Sequence, residues 1–174
     1  MTTLFTLIAI LQAFSISLGT GASTLAIINF FVAIADGGIS PDERRMMGVV
    51  YIVLRVAMVL ILLTTIVLLV SQYGIRGLGS MTVFNFAQVL VIAVLFVNAV
   101  LMTKHIIPSN FGPAIQAGNW YTLGTLSALL PLGLTSFTFT QFALAYIAWL
   151  ILAISIVNAI MALQMAKRNK LITK

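Results

Sequence analysis

Four stretches of about twenty or more residues run almost without a charged side chain, and this continuity decides what the chain can fold into. The hydrocarbon core of a bilayer is ~30 Å thick, and about twenty helical residues cross it. Stretches of that length predict transmembrane helices, because barrel strands are shorter and alternate apolar with polar residues. Composition agrees: of 174 residues, 61% are hydrophobic and 7% charged, so a water-soluble fold of this size could not cover its own apolar surface. The expected fold is all-α, a polytopic integral membrane helical bundle forming one transmembrane domain over residues 1–174.

Start and stop signals divide the chain into five helices, at about 3–35, 41–73, 81–105, 113–134 and 138–168. The first would be ~50 Å long as one helix, so it must tilt, protrude or bend, and the glycine- and hydroxyl-rich stretch 17–24 is the natural place for a bend. Asp36, Gly37 and Gly38 are suited to close it. Ser40, Pro41 and Glu43 form the sharpest start signal, with a capping serine, a proline at the first helical position and a glutamate completing a capping box. Thr138 and Gln141 offer a second capping box. Pro108 marks the end of helix three, and Pro131 predicts a kink near the end of helix four. Helix four carries Gln116, Asn119 and a proline.

Lysine and arginine give the orientation. With five spans and a cytoplasmic C-terminus, Met1 is outside, Arg44, Arg45, Lys104, Lys167, Arg168, Lys170 and Lys174 are inside, and Arg76 alone is outside. The alternative is four spans with helix four re-entrant, which sets Arg44 and Arg45 on the opposite side from the basic tail. Met1 to Leu11 lacks a basic leader region, so the first span is expected to persist. The net charge of +6 sits at span ends, which fits topology and anionic lipid headgroups on the cytoplasmic side of the cell membrane, not nucleic acid.

Few residues could carry chemistry. Arg55 is the only charged residue inside a span. It either snorkels to headgroups or forms an anion site. His105 is the sole histidine, which is too few for bis-histidine haem or a typical catalytic zinc site. On helix three Asn85, Gln88 and Asn98 fall within roughly 140° of the circumference, forming one polar side that fixes packing or lines a solute path. Ser15, Gly19 and Ser23 recur at intervals of four, a spacing that lets helix backbones approach closely, and Gly118 and Thr122 repeat it on helix four. Leu18-Gly19-Thr20 is echoed by Leu123-Gly124-Thr125, the trace of an inverted repeat or of chance. Trp120, Tyr121, Tyr73 and Tyr146 include expected interfacial anchors, while Trp149 is expected to pack inside.

Several chemistries are excluded. No lysine lies within a span for a retinal Schiff base, and no pair of acids lies in the membrane for an aspartyl protease, a di-metal site or a carboxylate relay. There is no cysteine, and no phosphate-binding loop or zinc spacing occurs. The leading expectation is a non-enzymatic helix-bundle subunit or lipid-contacting scaffold, without a cofactor, that packs against itself or a partner in a membrane complex. The alternative is a small transporter or channel for a neutral or anionic solute, with a haem- or quinone-linked redox subunit third. The expected site lies between the helix-one bend, at Gly19, Thr20, Gly21 and Ser23, and Arg55.

Overall fold

The computed structural model describes residues 2–35, 40–74, 77, 79, 81–108 and 111–172. Among them are five α-helices and no strand: α1 (Thr2–Ala35), α2 (Pro41–Tyr73), α3 (Val83–Thr103), α4 (Gly112–Leu129) and α5 (Phe139–Ile172). The expected cap at Asp36 to Gly38, Arg76 and the side chains of Lys167, Arg168, Lys170 and Lys174 lie outside the described residues.

The helix ends follow from local bonds. At α2 the Glu43 amide donates to Ser40 Oγ at 3.2 Å and the Ser40 amide donates to Glu43 Oε2 at 2.7 Å, so both halves of the capping box form. The same reciprocal pair links Thr138 and Gln141 at the start of α5. α3 stops two residues short of the expected His105, in a Schellman turn. The His105 amide donates to the Met102 carbonyl and the Ile106 amide to the Leu101 carbonyl, both at 3.0 Å, with His105 at φ 54°. α4 closes in the same way at Gly133, whose φ is 68°. Pro131 therefore sits in the closing turn and does not kink α4, which ends at Leu129 instead of 134.

α1 runs unbroken through the stretch where a bend was expected. Ser15, Ser17, Thr20 and Thr24 each donate to the carbonyl four residues earlier, at 2.7 to 3.0 Å, so their hydroxyls are absorbed by an intact helix. The glycine at position 19 has another role. A Cβ there would overlap the ring of Trp120, so the missing side chain is the seat of the indole. At Gly21 an added Cβ would touch nothing within 4 Å.

Side-chain contacts fix the direction of each helix. Gln12 Nε2 donates to Thr65 Oγ1 at 2.8 Å, so α1 and α2 form an antiparallel hairpin. Asn85 of α3 donates to Tyr73 Oη at 2.7 Å, and Asn98 near the other end of α3 donates to the Gly112 carbonyl at the start of α4. Phe84 and Phe86 meet Phe137 and Phe139, which brings the start of α5 level with the start of α3. The chain thus reverses at every connection. The starts of α2 and α4 and the end of α3 share one end of the bundle, with Arg44, Arg45 and Lys104. The starts of α3 and α5 share the other.

α4 is the centre. Gly112, Ala114, Ala117, Gly118, Trp120 and Leu126 are all buried, and at ~100° per residue they point round the whole circumference. α1, α3 and α5 pack against it. Four helices, α1, α2, α3 and α5, are long and apolar enough to cross a membrane, and they carry wide apolar outer faces, for example Leu4, Ile52, Val70, Val97 and Leu144. α4 is not among those four: its 18 residues include Gln116 and Asn119, and its buried positions are packed by neighbouring helices.

Candidate functional site

The polar side chains inside the bundle tie helix to helix. Thr20 Oγ1 shares its one proton between the Ile16 carbonyl at 2.8 Å and the Trp120 carbonyl at 3.2 Å, and Thr24 shares a 2.7 Å hydroxyl contact with Tyr121, joining α1 to α4. Asn98 Nδ2 donates to Gln116 Oε1 at 2.8 Å, and Gln116 Nε2 donates to Met58 Sδ at 3.5 Å, joining α3, α4 and α2. Tyr146 donates to Asn119 Oδ1, and Trp149 Nε1 donates to the Gly118 carbonyl at 3.0 Å, joining α5 to α4. A Cβ on Gly118 would come within 2.9 Å of a terminal methyl of Leu150, so the side chain of Leu150 would have to shift to admit one.

The residues singled out from the sequence are not brought together in one place. Gly19 and Ser23 are buried on α1, while Thr20 and Gly21 border a groove between α1 and α4. On α3 the polar residues divide: Asn85 bonds to Tyr73 and Gln72 of α2, Asn98 bonds to α4, and Gln88 is half-buried. Arg55 is exposed, off the buried stripe of α2 and flanked by exposed Ile52, Val56 and Val59. It does not face the α1 groove. His105 is exposed in the turn that ends α3. Trp120 is 0% exposed, and Tyr73 and Tyr146 are also buried, so these three are packing residues and not interfacial anchors. The indole at 120 is drawn inward because Gly19 leaves room for it.

Two crevices open on the bundle's flank. One, of about 400 Å³, lies between α1 and α4 and is bordered by Ser17, Thr20, Gly21, Gly124 and Ser127. Here the two Leu-Gly-Thr segments cross: a Cβ on Gly124 would lie 3.5 Å from Thr20 Oγ1. The other, of about 630 Å³, lies between α4 and α5. Its α5 wall is aromatic, with Phe137 stacked on Phe142 at 6.0 Å and Phe142 on Tyr146 at 5.5 Å. Trp149 meets Tyr121 edge-on at 6.3 Å across it. Sequence reasoning missed this wall, although Phe142, Tyr146 and Trp149 recur at the four- and three-residue steps of one helix face.

No protein-family model matches the chain, and no curated protein or solved structure matches it either. The fold itself defines a class: an all-helical bundle with several apolar helices, compatible with a membrane protein.

Proposed function

We propose that the chain is an integral protein of the cell membrane that crosses the bilayer five times, N-terminus outside and C-terminus in the cytoplasm. In this reading it serves as a non-enzymatic helix-bundle subunit or lipid-contacting scaffold. The observation that carries the functional reading is where its interior polar groups are spent: Gln12, Thr24, Asn98, Gln116, Asn119 and Tyr146 all bond across helix seams. In lipid such bonds hold helices in register, and here they leave α4 locked between its neighbours. Five crossings are supported by the meeting of Phe84 with Phe137, because a re-entrant α4 would return α5 to the end where α3 stops. The orientation is supported by Arg44, Arg45 and Lys104 gathering at one end. Native mass spectrometry from mild detergent tests the role. The expected result is a particle that retains a second copy, a partner or lipid, and a bare monomer would refute it.

A second reading, transport of a small neutral or anionic solute, is favoured by the antiparallel crossing of Leu18-Gly19-Thr20 with Leu123-Gly124-Thr125 beside a hydroxyl-bordered groove. Flux into proteoliposomes separates the two readings, and no uptake across a broad solute panel removes the second.

A further inference from the structure

The bonds across the helix seams leave some interior polar groups unspent. Ser23 Oγ, Asn98 Oδ1 and Trp120 Nε1 are enclosed without a hydrogen-bond partner in the protein, and their residues are 3%, 3% and 0% exposed. Buried polar groups are nearly always paired, and leaving one unpaired costs most in apolar surroundings. Each of the three is nevertheless held in place. The Asn98 amide nitrogen reaches the Gln116 oxygen at 2.8 Å and the Gly112 carbonyl at 3.0 Å, which turns Oδ1 away from both. Trp120 lies against Gly19 through its six-membered ring, and Nε1 belongs to the other ring. The hydroxyls of Ser15, Ser17, Thr20 and Thr24 are absorbed by the carbonyl four residues earlier, but that of Ser23 is not.

The three atoms come from three helices and from one level of the bundle. Gln116 of α4 marks that level, since it accepts from Asn98 of α3 and donates to Met58 of α2. Counted along the antiparallel α1–α2 pair from the Gln12–Thr65 bond, Gly19 stands opposite Met58, and Ser23 is one turn further on. Trp120 is one turn after Gln116, and its side chain leans back toward that turn because helical side chains tilt toward the N-terminus. The three groups therefore gather within about one turn of Gln116, ~5 Å along the bundle. The remaining unpaired atom among the described residues, Gln164 Oε1, is far along α5 and belongs to another level.

Chemistry selects the occupant. The indole N–H only donates, the amide oxygen only accepts, and the hydroxyl does either. A cation would satisfy Asn98 and oppose the indole N–H, and an anion would do the reverse. A small molecule that both accepts and donates suits all three, and internal water does so, typically with about three hydrogen bonds to groups the protein leaves unpaired.

We propose that the turn of α4 from Gln116 to Trp120 is an internal water site, in which water accepts the Trp120 indole proton and donates to Asn98 Oδ1, with the Ser23 hydroxyl as a further contact. The centre of the bundle is then joined by bound solvent as well as by direct bonds, whether the molecule serves as a scaffold or as a transporter.

The chain has two tryptophans, so indole resonances supply the test. Full-length protein labelled with nitrogen-15 in its indoles is placed in phosphatidylcholine nanodiscs, and Trp149→Phe identifies the Trp120 signal by elimination. The Trp120 indole proton is expected to show cross-peaks to water of opposite sign in the NOE and ROE experiments, the signature of a molecule in contact and not of proton exchange. The peaks should persist in Ser23→Ala, which shows that they do not pass through the serine hydroxyl proton. Their absence from the wild type, or their loss in Ser23→Ala, overturns the proposal. Should Trp149→Phe fail to fold, a density map of the wild type that resolves solvent decides. Solvent density within hydrogen-bond distance of Trp120 Nε1 and of Asn98 Oδ1 supports the site. A protein group bonded to either atom, or no density beside them, overturns it.

Discussion

Gly19 and Gly21 stand two positions apart on α1 under opposite constraints. A side chain at 19 would collide with Trp120, and one at 21 would meet open space. Gly19→Val is expected to destabilise the bundle by about 2–3 kcal/mol through overpacking. Gly21→Ala should be neutral or should stabilise by up to ~1 kcal/mol, because alanine is the better helix former. Unfolding of the purified proteins in detergent measures both, and Trp120→Phe in the Gly19→Val background should recover part of the loss. His105 offers the reverse case. It holds a left-handed conformation at the end of α3 that costs a side-chain-bearing residue about 1 kcal/mol. His105→Gly is therefore expected to stabilise the protein by about that amount in the same assay. A stability loss would mean that the imidazole has a role beyond the turn.

At the scale of the helix, the ends that local chemistry dictates were readable from the chain itself. The Ser40 capping box fixed the start of α2, and Ser40→Ala should cost about 1 kcal/mol and raise hydrogen exchange in the first turn of α2. Thr138 and Gln141 marked the start of α5 just as well. What the sequence hid depends on neighbours. Pro131 reads as a kink until the Schellman turn at Gly133 shows that α4 has already stopped. Leu-Gly-Thr at 18–20 reads as a bend until Trp120 is seen against Gly19. The polar residues of α3 read as one side, yet Asn85 and Asn98 serve different helices, since each amide turns to the nearest partner in an apolar surrounding. The aromatic wall at Phe142, Tyr146 and Trp149 was legible in spacing, but a ring face lines a crevice only if the adjoining helix stands back from it.

The arrangement of the whole molecule makes its orientation testable with single introduced cysteines, because the chain has no cysteine of its own to remove. Single cysteines at Lys104, in the turn after α3, and Ser136, ahead of α5, both occupy exposed positions. Under five crossings a membrane-impermeant maleimide added to intact cells labels Ser136→Cys, and Lys104→Cys reacts only after the membrane is opened. Labelling of both from one side would restore the re-entrant alternative. Seams between helices should yield modestly to mutation: Tyr146→Phe, which removes the bond to Asn119, is expected to cost about 0.6–1.7 kcal/mol in detergent unfolding.

The covered position of α4 also bears on how the protein is made. A segment holding Gln116, Asn119 and buried glycines is a poor candidate for partition into lipid by itself as it leaves the ribosome. In the five-crossing reading it enters the bilayer in the company of α1 and α3, whose surfaces are already in place when it emerges. Damage to the Gly19–Trp120 contact would then surface during biogenesis, as chains threaded with the wrong number of crossings and cleared by quality control, before it surfaced as a lower melting temperature of the finished protein.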